Sequence, residues 1–210
     1  MMPRSTPAAG PASMSSNTRF LARTAVAATL IAGMAGCGHS PPVRYVTLSA
    51  EAVAAPRASV RIPPVQLTAV HIPAELDRSE VVTQASANQL TIHETDRWAA
   101  PLGQMMRRTL AQDLLARLPE GSLVLPDAPA PPHTRTLVVT VLSAEADASG
   151  TLTLQVAWTL LSGSPSRAVL SQQATLTADM ASRDATAQAA ALSHLLAQLA
   201  DRIAAAVVAS

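Results

Sequence analysis

The segment from Thr151 to Leu160 alternates without a break. Leu152, Leu154, Val156, Trp158 and Leu160 are apolar, and Thr151, Thr153, Gln155, Ala157 and Thr159 stand between them. A period of two over that length suits a strand with one face buried and one open. Its neighbours fix the surroundings. Thr136 to Ala144 is apolar on both faces and reads as a central strand. Ala148-Ser149-Gly150 is a hairpin turn between the two, and Arg167 to Ala178 is a third strand reached across Ser162-Gly163-Ser164-Pro165. Residues 136–178 are therefore expected to form an antiparallel meander.

Such a sheet needs a cover. Trp98, Leu102, Met105, Met106, Leu110, Leu114 and Leu118 recur at helical spacing, with Arg107, Arg108, Gln112 and Asp113 largely on the other side. Thr95 or Asp96 is the expected cap, with Pro101 accommodated if the helix proper begins near Ala100. Pro119-Glu120-Gly121 ends the helix. A second stripe, Leu192, Leu195, Leu196, Leu199, Ile203 and Val207, spans the alanine-rich stretch from Asp184 to Val208. Its polar face lacks the basic residues of a membrane-surface helix, so it is expected to bury the stripe in its own domain.

Short strands are expected at Val43 to Leu48, Ser59 to Leu67, Glu80 to Gln84, Gln89 to His93 and Ser122 to Leu125. Asn88 is placed in a turn, Ile72 to Arg78 in a turn or single helical turn, and 51–57 and 127–133 in loops. Pro63-Pro64 makes the second strand an edge strand or a bulged one. The predicted fold class is α+β: a mainly antiparallel sheet with two amphipathic helices packed on one face.

Upstream of this domain the chemistry changes. Arg19 and Arg23 precede the apolar run Thr24 to Gly36, which ends Met34-Ala35-Gly36-Cys37 with the chain's only cysteine. Basic, apolar, then small residues is the order of a secretory signal peptide. Met34 to Cys37 resembles a lipobox, in which the cysteine receives a diacylglycerol and becomes the new N-terminus. The run falls well short of the about 20 residues a spanning helix needs. The expected organisation is a signal peptide over 1–36, with Met14 a plausible start. A lipidated tether follows over 37–43, and a periplasmic domain over 44–210. A covalent diacylglycerol and an N-acyl chain (palmitate type) on Cys37 are the expected attachments, and no other cofactor is. Gly38 after the lipidated cysteine, where Asp would favour inner-membrane retention, suggests the outer membrane.

The 15 basic residues are all arginine, and Arg4, Arg19 and Arg23 precede Cys37 while all 14 acids follow it, so the mature chain is slightly acidic. That balance argues against nucleic acid and against a polybasic membrane patch. With Cys37 lipidated no cysteine remains for a disulfide, and the fold must be stable by burial. His71, His93, His133 and His194 show no ligand spacing. Gly-x-Ser-x-Gly and phosphate-binding glycine loops are absent, and Ser193-His194 are helix neighbours pointing apart, so no enzyme is expected.

Several short motifs occur in a telling order: Tyr45-Val46-Thr47-Leu48, Leu76-Asp77-Arg78, Glu80-Val81-Val82-Thr83, Ser86, Asn88-Gln89-Leu90, Arg97-Trp98-Ala99, Pro101-Leu102 and Val156-Ala157-Trp158. From about Cys37 to the C-terminus this series resembles the ABC-type transport auxiliary lipoproteins (the PqiC/YmbA-like family, paraquat-inducible protein C). The resemblance implies a lipid-anchored, non-catalytic component of a mammalian-cell-entry (MCE) type system. Such systems move phospholipid or other lipids between the two membranes. The resemblance also implies docking on the MCE tunnel protein, association with inner-membrane permease components, and a homo-oligomeric ring. Asp77, Arg78, Arg97 and Trp98 are the candidate partner-interface residues. Each also has a structural reading: an Asp77–Arg78 ion pair fixing a turn, and Trp98 anchoring the first helix to the sheet. The alternative function is an independent lipid- or small-molecule-binding lipoprotein with a pocket between sheet and helices.

Overall fold

The computed structural model describes residues 41–52, 60–86, 89–147 and 149–210. Cys37, the lipobox, the signal segment and Asn88 lie outside the described residues. The element order is β1 (Arg44–Val46), β2 (Val65–His71), β3 (Glu80–Ser86), β4 (Gln89–Trp98), α1 (Leu102–Arg117), β5 (Leu123–Val124), β6 (Arg135–Ala146), β7 (Thr151–Ser162), β8 (Arg167–Asp179) and α2 (Ala185–Val208). The fold is α+β.

The meander is present. β6 and β7 pair antiparallel with Val139 opposite Trp158, and β7 and β8 with Leu154 opposite Leu176. The alternation of β7 becomes a buried row, since Leu152, Leu154, Val156, Trp158 and Leu160 are all enclosed. At the first hairpin Asp147 Oδ1 accepts from the amides of Ser149 and Thr151, each at 2.9 Å, and Gly150 takes the positive φ of 94° that the turn requires.

One sheet was expected and two are found. β5-β2-β6-β7-β8 form five strands, and β1-β4-β3 form three. β2 runs parallel to both β5 and β6, and β1 runs parallel to β4. Local hairpin signals reveal antiparallel neighbours, whereas these parallel pairs join strands far apart in sequence. β2 begins at Val65; Ser59 lies outside the described residues, and 60–64 form no strand because Pro63 and Pro64 cannot donate to a ladder. It sits between β5 and β6, and carries a register shift between Leu67 and Ala69.

The first helix begins later than Thr95 or Asp96. β4 continues through both residues to Trp98, held by β1 on one side and Glu80 on the other. Pro101 caps the helix in an extended conformation and disfavours helical geometry at Ala100. Asp113, expected on the outer side, is fully buried against the N-terminal segment. α2 behaves as read: Asp184 caps it, accepting from the Ala187 amide at 2.9 Å. By length and composition α2 could cross a bilayer, yet its stripe is buried in the domain. Leu110, Leu114, Leu195, Leu196, Leu199 and Ile203 meet Val65, Leu67, Leu137, Leu154 and Leu160 in one aliphatic core.

Candidate functional site

β1 is the first strand among the described residues, and its first residue carries a charge. Arg44 donates to Asp96 twice, Nε to Oδ1 at 2.7 Å and Nη2 to Oδ2 at 3.0 Å. The fork matches a carboxylate in both geometry and charge, and the pairing raises the Arg44 pKa. Asp96 is buried, so this arginine is its neutralising partner at the sheet surface. His93 Nδ1 lies 4.0 Å from Asp96 Oδ2, and His93 Nε2 is 3.1 Å from Thr83 Oγ1 on the next strand.

A second charged group sits where β3 begins. The Glu80 carboxylate lies between two arginines, 3.9 Å from Arg78 Nε and 3.7 Å from Arg97 Nη2. Its own backbone amide and the Ser79 hydroxyl, helped by the two arginines, hold its pKa below the usual carboxylate range. Asp77 is exposed on the turn just before Arg78, and its amide donates to the Ala74 carbonyl. The structure thus brings Arg78 and Arg97 together on Glu80. Arg78 faces Glu80 rather than Asp77, the partner that one of its two sequence readings gave it. Trp98 points the other way: it is 6% exposed and belongs to the core.

The chain after β1 is strapped to both helices. The Ser49 amide donates to Ser193 Oγ at 3.1 Å, and the Glu51 amide donates to Asp113 Oδ1 at 2.9 Å. Arg117 Nη1 reaches Asp113 at 3.3 Å while its Nε reaches Asp201 on α2 at 2.6 Å. Burial pushes the Asp113 pKa up, against the pull of the Glu51 amide and Arg117. His194 Nδ1 lies 3.0 Å from the Glu51 carboxylate, and Ser193 Oγ donates to Ala189. Ser193 and His194 therefore serve different contacts. Among the described residues no three His, Cys, Asp or Glu side chains converge as a metal set.

A separate groove of about 430 Å³ runs along α1, with Met105, Ala111 and Leu125 on its walls and Arg108 exposed beside it. Arg107 closes one side through two bonds to Asp127, at 3.0 and 2.7 Å, and this pairing holds the Asp127 pKa low. Between the two helices and the five-stranded sheet buried leucines and valines pack together.

Sequence reasoning missed Arg44, His93 and Asp96 as site residues. Arg44 and Asp96 are 52 residues apart and meet only through the parallel β1–β4 pairing. Glu80 lay within a recognised motif, but its position between two arginines depends on the β3–β4 register.

The comparisons with known proteins agree with this architecture. No curated protein matches the sequence. A crystal structure of an uncharacterized protein superposes with a TM-score of 0.65 at 22% identity, covering 79% of this chain and 99% of that one. Protein XCC0632 from Xanthomonas campestris, of family DUF330, gives 0.66 at 16% identity, covering 79% of this chain and 95% of its own. At these identities the likeness establishes the fold. The model of the family described as "ABC-type transport auxiliary lipoprotein component" matches residues 46–204, and the chain belongs to that family.

Proposed function

We propose that the protein is a non-catalytic, lipid-anchored accessory of an MCE-type intermembrane lipid transport system, docking on the MCE tunnel protein from the periplasmic face of the outer membrane. The observation that carries this reading is the charged surface of the three-stranded sheet. Glu80 on β3 and Arg97 on β4 lie in the same small sheet as β1, and exposed Asp77 and Arg78 stand on the turn just before β3. A partner reached by a short tether would meet that sheet early. Rim charges of this kind set register and orientation at a docking surface. Family membership supports a transport partner, and the lipobox supports diacylglycerol and an N-acyl chain on Cys37. Inner-membrane permease components complete the proposed system, and several copies are proposed to form a ring.

The test is affinity purification of the full-length, C-terminally tagged protein from detergent-solubilised membranes, with mass spectrometry of what is retained. The expected result is an MCE-domain protein in stable ratio, recovered less by Arg78→Glu and Arg97→Glu. A lone lipoprotein with its Cys37 lipid intact would overturn the reading in favour of an independent binding protein.

A further inference from the structure

We propose that the groove along α1 binds an extended acidic peptide, a carboxylate flanked by aliphatic side chains, supplied by a partner protein. The groove lies between α1 and the turn from Leu125 to Ala128, and that turn is fixed from three directions. The Ala128 amide closes it by donating to the Leu125 carbonyl at 3.2 Å, and Asp127 takes a φ of 65° within it. A turn whose third residue has positive φ usually places glycine or asparagine there. The fork from Arg107 on α1 accounts for the aspartate. From β2, Gln66 Nε2 donates to the carbonyls of Leu125 and Ala128, at 3.1 and 2.8 Å. Helix, turn and strand thus hold open a space of about 430 Å³, within the size range of ligand pockets. A wall fixed before binding spares the occupant part of the cost of ordering it.

Charge selects the sign of the occupant. Among the described residues that line the groove Asp127 alone is acidic, and Arg107 already neutralises it. Arg108 is exposed, and its side chain has no ion pair or hydrogen bond among the described residues. The groove therefore carries one uncompensated positive charge. Spacing selects the shape. Gln104, Arg108 and Gln112 all line the groove and follow one another at four-residue steps on α1, about 6 Å apart along the axis. Alternate residues of an extended chain are about 6.6 Å apart, a mismatch that long side chains absorb. A peptide laid along the helix presents its central carboxylate to Arg108, and the two glutamine amides reach its main chain on either side. Its neighbouring side chains point the other way, toward Pro126 and Leu125, which is 55% exposed. This surface is separate from the three-stranded sheet, so the inference stands whether or not the MCE reading holds.

The probe is the blocked pentapeptide Ala-Leu-Glu-Leu-Ala, with lysine and glutamine versions at its centre. Each is titrated to millimolar concentration into the full-length protein in nanodiscs, carrying ¹³C-methyl methionine. Met105 lines the groove and reports binding, while Met180 lies outside it and serves as the control. The expected result is a saturable shift of the Met105 methyl with the glutamate peptide and none with the lysine peptide. The glutamine peptide should bind about fivefold more weakly, as loss of one exposed ion pair implies. Arg108→Glu, at an exposed position, should abolish binding of the glutamate peptide and admit the lysine one. No Met105 shift, equal binding of the glutamate and lysine peptides, a preference that survives Arg108→Glu, or a groove that takes dodecanoate but not the peptide would overturn the proposal.

Discussion

The meander with α2 and the segment from Val43 to Ala52 are held in place by different physics. The meander is stabilised by burial: its inward rows are leucine, valine and tryptophan, and the helix above them contributes leucine and alanine. The N-terminal segment buries only Val46 and Leu48, and is fixed by Arg44–Asp96, Ser49–Ser193, Glu51–Asp113 and Glu51–His194. Burial is non-directional and tolerates imprecision, whereas each polar contact works at one geometry only. The first region can therefore form from its own pattern, while the second needs both helices and β4 already in place.

This contrast can be broken by substitution. Leu195→Ala, at a fully buried position, should cost about 3 kcal/mol in chemical denaturation. Asp113→Ala strips the Glu51 amide of its acceptor and leaves Arg117, itself nearly buried, with Asp201 as its one carboxylate besides the backbone carbonyl of residue 113. A loss of about 2 kcal/mol is expected, read the same way. If it equals or exceeds the Leu195→Ala loss, the polar strap is no lesser partner of the core. Arg44→Met should lower the melting temperature by less than either, yet expose the chain around β1 to faster amide hydrogen exchange. Unchanged exchange there would remove the fork from the account.

Acid separates the two regions in another way. Glu80, Asp127, Asp147 and Asp184 have folded pKa values below the usual range, so their contributions are present above it and fade as pH falls through those values. Asp127, Asp147 and Asp184 are exposed and Glu80 half-buried at the surface, so solvent screens them and the loss is gradual. Asp113 has the opposite sign. Its folded pKa is raised, so the folded state takes up a proton first as pH falls toward 3.8. Wild type should therefore gain stability relative to Asp113→Asn across that window, and a constant gap between their melting temperatures would refute the assignment. The smallest effect is expected at Gly103. An added Cβ there meets Ile72 Cδ1 at 3.6 Å, ordinary contact, so Gly103→Ala should stabilise by about 0.5 kcal/mol.

The same contrast explains what could be read in the sequence. The alternation of β7, the both-sided apolarity of β6 and the Asp184 cap are local patterns, and each became the element it indicated. Trp98 misled because its apolar side falls in step with Leu102 and Met105, so a strand end and a helix start merged into one stripe. Asp113 looked like solvent-facing polarity, since nothing near it in sequence announces the Glu51 amide that it serves. Arg78 and Arg97 were legible as candidates and Glu80 only as part of a motif, and their convergence depends on a register shift between Glu80 and Val81.

The parallel alignment of β1 with β4 has a mechanical consequence. Any pull from a membrane anchor would enter the domain along β1, from Arg44 toward Val46, parallel to the strand axis. The three paired positions, Arg44 with Asp96, Tyr45 with Arg97 and Val46 with Trp98, would then be loaded together in shear instead of being peeled off one after another. Behind them the Ser49 and Glu51 attachments pass residual tension to both helices. A short strand with a charged clamp at its leading residue would in this sense act as a strain relief between the proposed anchor and the meander.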